Sequence, residues 1–181
     1  MKNVDDCFKD ALKDEKKGKK HKGLLMTRQD DRVAQEYVEK AKVNLGLCDT
    51  LKEKGYDYKI PEEWFYTLYY CALAILAKFG VESRSQACTA ALLHYIKEQG
   101  LIDYNDEFID RITVHREKEA RSDVDERENA RYSPAIKSEE VESKYDYMTD
   151  LCKKAISQTE DIIYSKKKHE LPKELKMYIQ S

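Results

Sequence analysis

Three prolines and six glycines in 181 residues leave this chain few breakers and few sharp turns. That excludes Pro-rich linkers, collagen-like repeats and glycine-rich disordered tracts. No alternating apolar and polar run marks a strand, and no segment repeats. Helix formers fill the composition instead, which points to an all-α protein of a size suited to one domain. Charge of one sign is also missing: the formal net charge is −2 and the pI is near 6.1. A uniformly basic nucleic-acid binder is thereby excluded, so any polyanion contact must come from a local patch.

Cysteine gives little. Cys7, Cys48, Cys71, Cys88 and Cys152 are odd in number, scattered, and form no Cys-x-x-Cys pair. Cys71 and Cys88 fall within apolar helical patterns, where a free thiol behaves as a small hydrophobe. Neither a zinc site nor a disulfide framework is expected, and no cofactor is implied. The absence of an apolar segment near the N-terminus argues against a signal peptide and for a reducing cytoplasm. Gly-x-x-x-x-Gly-Lys, Gly-x-Ser-x-Gly and His-Glu-x-x-His are all absent, as expected of a chain with no P-loop, serine-hydrolase elbow or zincin helix. Asp103, Asp106 and Asp110 lack the glycine and terminal glutamate of a Ca²⁺ loop.

Long hydrophobic runs are absent but for one. From Trp64 to Ala77 only Thr67 interrupts an apolar and aromatic series, in a chain that is otherwise 38% charged. A helix apolar on all sides belongs in a core or a membrane. Its fourteen residues span about 21 Å, short of the roughly 30 Å of a bilayer interior. Glu62, Glu63 and Lys78 close both ends. The run therefore reads as the central helix of a bundle, with no membrane partner.

Around it the punctuation predicts further helices. Residues 1–25 read as a basic, frayed or weakly helical, partly disordered extension, with only Val4, Phe8, Ala11 and Leu12 available for an apolar stripe. Thr27 with Asp30 resembles a capping box and opens a helix with Val33, Tyr37, Ala41, Leu45 and Leu51 facing inward. Gly55 ends it. Pro61 opens the central helix and Gly80 stops it. Ser83 or Ser85 caps a third helix that ends at Gly100, and Asn105 caps a fourth carrying Phe108, Ile109, Ile112 and Val114. From Ser138 to about Ser165, Val141, Tyr145, Met148, Cys152, Ala155 and Ile162 recur at three- and four-residue steps. Residues 166–181 form a short last helix or tail. Short connections favour antiparallel neighbours, hence an up-and-down bundle of four to five helices over 26–165.

Candidate chemistry is confined to few residues. His21 and His169 lie in lysine-rich flanks and read as solvated, and His94 reads as a hydrogen-bonded core or edge histidine. Arg111 and His115 stand at i, i+4, so a guanidinium and an imidazole share one helix face. Arg116, Arg121, Arg127 and Arg131 follow, then Tyr132. A histidine that moves the proton of a 2′-hydroxyl, beside an arginine that neutralises phosphate charge, is what RNA cleavage needs. The same arginines, balanced by Glu117, Asp123 and Glu126, equally describe a solvated helix. A binding groove is the third reading, with Arg116, Arg121 and Arg131 on phosphates and Tyr132 stacked on a base.

Phe65-Tyr66-Thr67-Leu68-Tyr69-Tyr70-Cys71-Ala72 through Gly80-Val81, followed by Ser83-Arg84-Ser85-Gln86-Ala87-Cys88-Thr89, resembles the central hairpin of HEPN domains, the "higher eukaryotes and prokaryotes nucleotide-binding" helical proteins. Arg116-Glu-Lys-Glu-Ala-Arg121-Ser-Asp-Val-Asp125 is similar to their charged fourth-helix segment. The likeness covers roughly residues 30–165. It implies a bundle that often dimerises, here a homodimer. It also implies nucleotide or RNA binding, and for active members a metal-independent endoribonuclease with an Arg-x(4–6)-His motif. Arg111 and His115 have three residues between them, one fewer than that motif. Many relatives are toxins paired with a nucleotidyltransferase-type antitoxin protein, and others are non-catalytic partners of such enzymes.

Overall fold

The computed structural model describes residues 3–113 and 138–178. Six α-helices lie among them: α1 (Val4–Lys16), α2 (Asp31–Glu53), α3 (Ile60–Lys78), α4 (Gln86–Glu98), α5 (Asp106–Ile112) and α6 (Glu139–Ile163). The fold is all-α. The apolar run forms α3, the central helix, with Trp64, Phe65, Leu68, Ile75 and Leu76 almost wholly buried. It packs against α2, α4, α5 and α6. Thr67 is tolerated there because its hydroxyl donates to the Glu63 carbonyl of the preceding turn, 2.8 Å away. A buried hydroxyl without such a partner would cost about 1–3 kcal/mol.

Caps set the boundaries. Ser85, Asn105 and Ser138 each accept a backbone N–H in the first turn of α4, α5 and α6, satisfying a donor that the helix leaves orphaned. For α2 the cap is Asp30, whose side chain accepts from the amides of Arg32 and Val33. Thr27, expected to open that helix, instead donates its amide to the Gly80 carbonyl at 2.8 Å. The α2 face is rotated by about one residue from the expected one: Ala34, Val38, Ala41 and Cys48 are buried, while Val33, Tyr37, Leu45 and Leu51 are half-buried flanks. On α6 the expected stripe of Val141, Tyr145, Met148, Cys152, Ala155 and Ile162 is buried throughout.

Three features differ from the sequence reading. Leu24–Met26 (β1) pairs antiparallel with Val81–Ser83 (β2), in the register Leu24 to Ser83 and Met26 to Val81. Three residues per strand carry no readable alternation. Second, the basic N-terminal stretch contains α1, a helix with Cys7, Phe8 and Ala11 fully buried. Phe8 stacks on Tyr178 at 5.0 Å, in the 3₁₀ turn Leu175–Tyr178 that takes the place of a last helix. Cys7 forms a disulfide with Cys88 of α4, contrary to the expectation of free thiols. Two thiols 81 residues apart carry no local spacing signal.

Candidate functional site

Arg111 lies in the last turn of α5, a two-turn helix whose Phe108, Ile109 and Ile112 face the core. The helix ends at Ile112 with Thr113 extended, so the helix expected to carry Arg111 and His115 on one face stops between them. The polar side is left to Glu107, Asp110 and Arg111. Arg111 donates to Glu107 Oε1 through Nε at 3.1 Å and Nη2 at 2.9 Å. The hydroxyl of Tyr147, on α6, donates to the same oxygen. The Arg111 guanidinium also lies 5.5 Å from the Tyr147 ring centroid, close enough for cation–π attraction. Burial pushes the Glu107 carboxyl up, but the hydrogen bonds from Tyr147 and Arg111 outweigh it and hold the group below its ordinary value. The result is an ionised carboxylate clamped between a cation and a phenol. Tyr147 keeps 54% of its surface exposed.

The opposite edge of α5 is tied to α4. His94 Nε2 lies 3.7 Å from Asp110 Oδ1, and Lys97 pairs with Asp106. His94 is thus the edge histidine expected of it. Of the residues read as a site, Arg111 is placed on the half-buried side of α5. His115, Arg116, Arg121, Arg127, Arg131 and Tyr132 lie outside the described residues.

The two histidines read as solvated are buried, at 3% exposure for His21 and 6% for His169. His21 Nε2 sits 3.3 Å from Glu82 Oε1 and its Nδ1 meets the Gly23 amide. His169 packs edge-on against Phe79 at 5.2 Å. Burial, helped by the Lys78 ammonium, lowers its pKa. Lysine-rich neighbours in sequence point outward here while the imidazoles turn inward, and no local pattern announces that. The free thiols are inert: burial pushes Cys48 and Cys71 up to about 12, far from thiolate chemistry at neutral pH.

A second cluster was not expected from the sequence. Tyr37 of α2 stacks on Tyr70 of α3 at 6.0 Å, Tyr70 on Tyr66 at 5.8 Å, and Phe65 bridges Tyr66 and Tyr69 at 5.3 and 5.7 Å. The four tyrosines are half-buried. Lys40 Nζ lies 5.7 Å from the Tyr37 centroid and 5.6 Å from that of Tyr70. Beside Tyr37, where α2 begins and β2 leaves α3, is a cavity of about 380 Å³. Its signal in the sequence is the spacing of Tyr66, Tyr69 and Tyr70, which the reading of α3 as core absorbed.

Protein-family models, curated proteins and solved structures offer no match to this chain. Among the described residues no three His, Cys, Asp or Glu side chains converge as metal ligands. No helix among them is long and apolar enough to cross a membrane.

Proposed function

We propose that the chain is a HEPN-like helical protein that binds single-stranded RNA or nucleotide at the α5–α6 edge, through the arginine-rich segment that follows α5. The observation carrying this is Arg111 lying against the exposed ring of Tyr147. It gives the end of α5 an aromatic surface with cationic company, and Arg116, Arg121 and Arg131 follow α5 in the sequence. Bases stack on such rings regardless of identity, and arginines supply the phosphate contacts. The net charge of −2 fits a local interface rather than a whole-surface one.

Catalysis by Arg111 and His115 is less well supported. The Arg111 guanidinium is held by Glu107 through two hydrogen bonds, so a phosphate would have to compete with a carboxylate for it. A homodimer, and docking to a nucleotidyltransferase-type antitoxin, follow from the same resemblance and belong to the same proposal. The reducing cytoplasm expected from scattered cysteines does not, because the Cys7–Cys88 disulfide argues against a reducing compartment. Fluorescence anisotropy with a labelled single-stranded RNA, at 50 to 200 mM salt and in EDTA, tests the binding reading. Affinity should fall linearly on a log–log plot as salt rises. No binding at any salt would overturn it, and cleavage in EDTA would favour the ribonuclease.

A further inference from the structure

The cavity beside Tyr37 is built for more than solvent. Its floor is apolar, formed by Val33 of α2, Leu73 and Ala77 of α3, and Val81 of β2. The Tyr37 ring stands at its side, and Thr27, Arg28, Asp30, Glu82 and Ser83 line its polar part, the Asp30 carboxylate being taken up in capping α2. Its volume of about 380 Å³ falls in the range of small-molecule sites, which pair apolar walls with a few placed polar groups.

The polar groups have capacity to spare. Arg84 and His21 both approach Oε1 of Glu82, at 2.7 and 3.3 Å, and Oε2 has no donor among the described residues. Burial pushes that carboxyl up, but those two partners outweigh it and keep the group ionised at neutral pH. The Tyr37 hydroxyl donates to no protein acceptor among the described residues, and Arg28 is exposed and makes no ion pair there. An ionised carboxylate accepts from N–H groups and repels carbonyl edges. A nucleotide is a planar ligand that can stack on Tyr37, offer N–H donors to Glu82 and carry an anion toward Arg28. Of the common bases, guanine presents two adjacent donors on one edge and uracil a single one between two carbonyls.

We propose that this cavity binds one nucleoside monophosphate, with its base stacked on Tyr37, its N–H edge on Glu82 and its phosphate at Arg28. The ligand class rests on the nucleotide-binding reading above, whereas the site lies on α2, α3 and the ribbon rather than on α5 and α6. The tyrosine series holds the ring: Tyr37 stacks on Tyr70 at 6.0 Å, and Lys40 Nζ lies 5.7 and 5.6 Å from the two centroids. That fixes the orientation of the ring before any ligand arrives.

Isothermal titration of the full chain with GMP, AMP, CMP and UMP tests the site. GMP should bind one to one and most tightly, and UMP most weakly. Tyr37→Leu should weaken GMP by about tenfold or more, the value of one stacked base, whereas Tyr37→Phe should stay within about threefold. Glu82→Gln should erase the preference for GMP over UMP. The Tyr37→Leu loss should be the same in the Arg116→Ala/Arg121→Ala background, so that it is read from this cavity and not from the α5–α6 edge. Thermal melts of each variant identify any that fail to fold, and the Tyr37→Phe and Tyr37→Leu pair then carries the decision. No binding of any of the four monophosphates, or GMP binding indifferent to Tyr37→Leu, overturns the site. If the wild type binds RNA but not GMP, the site fails while the α5–α6 reading stands. Loss of GMP binding in the arginine double variant alone would place the nucleotide at α5–α6 and also overturn the site.

Discussion

Cys7 of α1 and Cys88 of α4 are joined by a disulfide, their Cα atoms 5.8 Å apart and 81 positions distant in sequence. The bond closes a long loop, and closing it in the unfolded chain stabilises the fold by up to about 4 kcal/mol on the chain-entropy account. It also fixes α1, which brings few apolar residues of its own. Reducing the protein, or making Cys7→Ser, should lower the melting temperature by several degrees or more and release α1 first. Differential scanning fluorimetry with and without reductant, paired with hydrogen exchange over residues 4–16, reads both effects. An unchanged melting temperature would mean that packing of Phe8 and Ala11, rather than the disulfide, holds α1.

Two glycines are fixed by the ribbon. Gly80 has φ of +71°, and a Cβ there would lie 2.8 Å from the Thr27 carbonyl oxygen, the residue whose amide Gly80 accepts. Gly23 would place a Cβ 2.2 Å from the Cys7 carbonyl oxygen. Gly80→Ala should cost roughly 1–3 kcal/mol, from a strained backbone plus the contact. Gly23→Ala should cost at least as much, because α1 must move away. Gly18→Ala, also at positive φ but with open space around it, should cost the strain alone. Urea unfolding of the three variants would rank them, and equal losses would count against the contacts.

His169 makes stability depend on pH. Burial and the Lys78 ammonium lower its pKa in the fold, so the folded state favours the neutral ring. Its contribution is complete above the unfolded value near 6.5. It is lost as pH falls from there toward the lowered folded value, where the unfolded chain holds the extra proton. Its Nδ1 is buried with no partner among the described residues. His169→Gln should therefore flatten the stability curve just below pH 6.5 relative to the wild type. Parallel urea titrations across that window test this, and coincident slopes would contradict it.

What the sequence announced was local. Ser138 with the Val141 to Ile162 stripe, Asn105 before Phe108, and Pro61 before the apolar run are signals contained within one element, and all recur in the structure. What it concealed was long-range. Leu24 pairs with Ser83, His21 with Glu82 and Cys7 with Cys88 across long stretches of chain, where no local pattern links them. The site was legible to the same extent. Arg111 was visible at helical spacing from His115, yet Glu107, four residues earlier on the same face, is the partner it takes. Tyr37 and Glu82 lie on separate elements, so their meeting at one cavity had no pattern to read.

The central claim is that the arginine-rich segment after α5 holds nucleic acid. Its most direct test compares single-stranded RNA binding by the wild type and the Arg116→Ala/Arg121→Ala variant over a salt series. Losing two phosphate contacts should weaken binding about equally for all sequences and reduce the salt slope by roughly 1.4. Unchanged affinity and an unchanged slope would contradict the account.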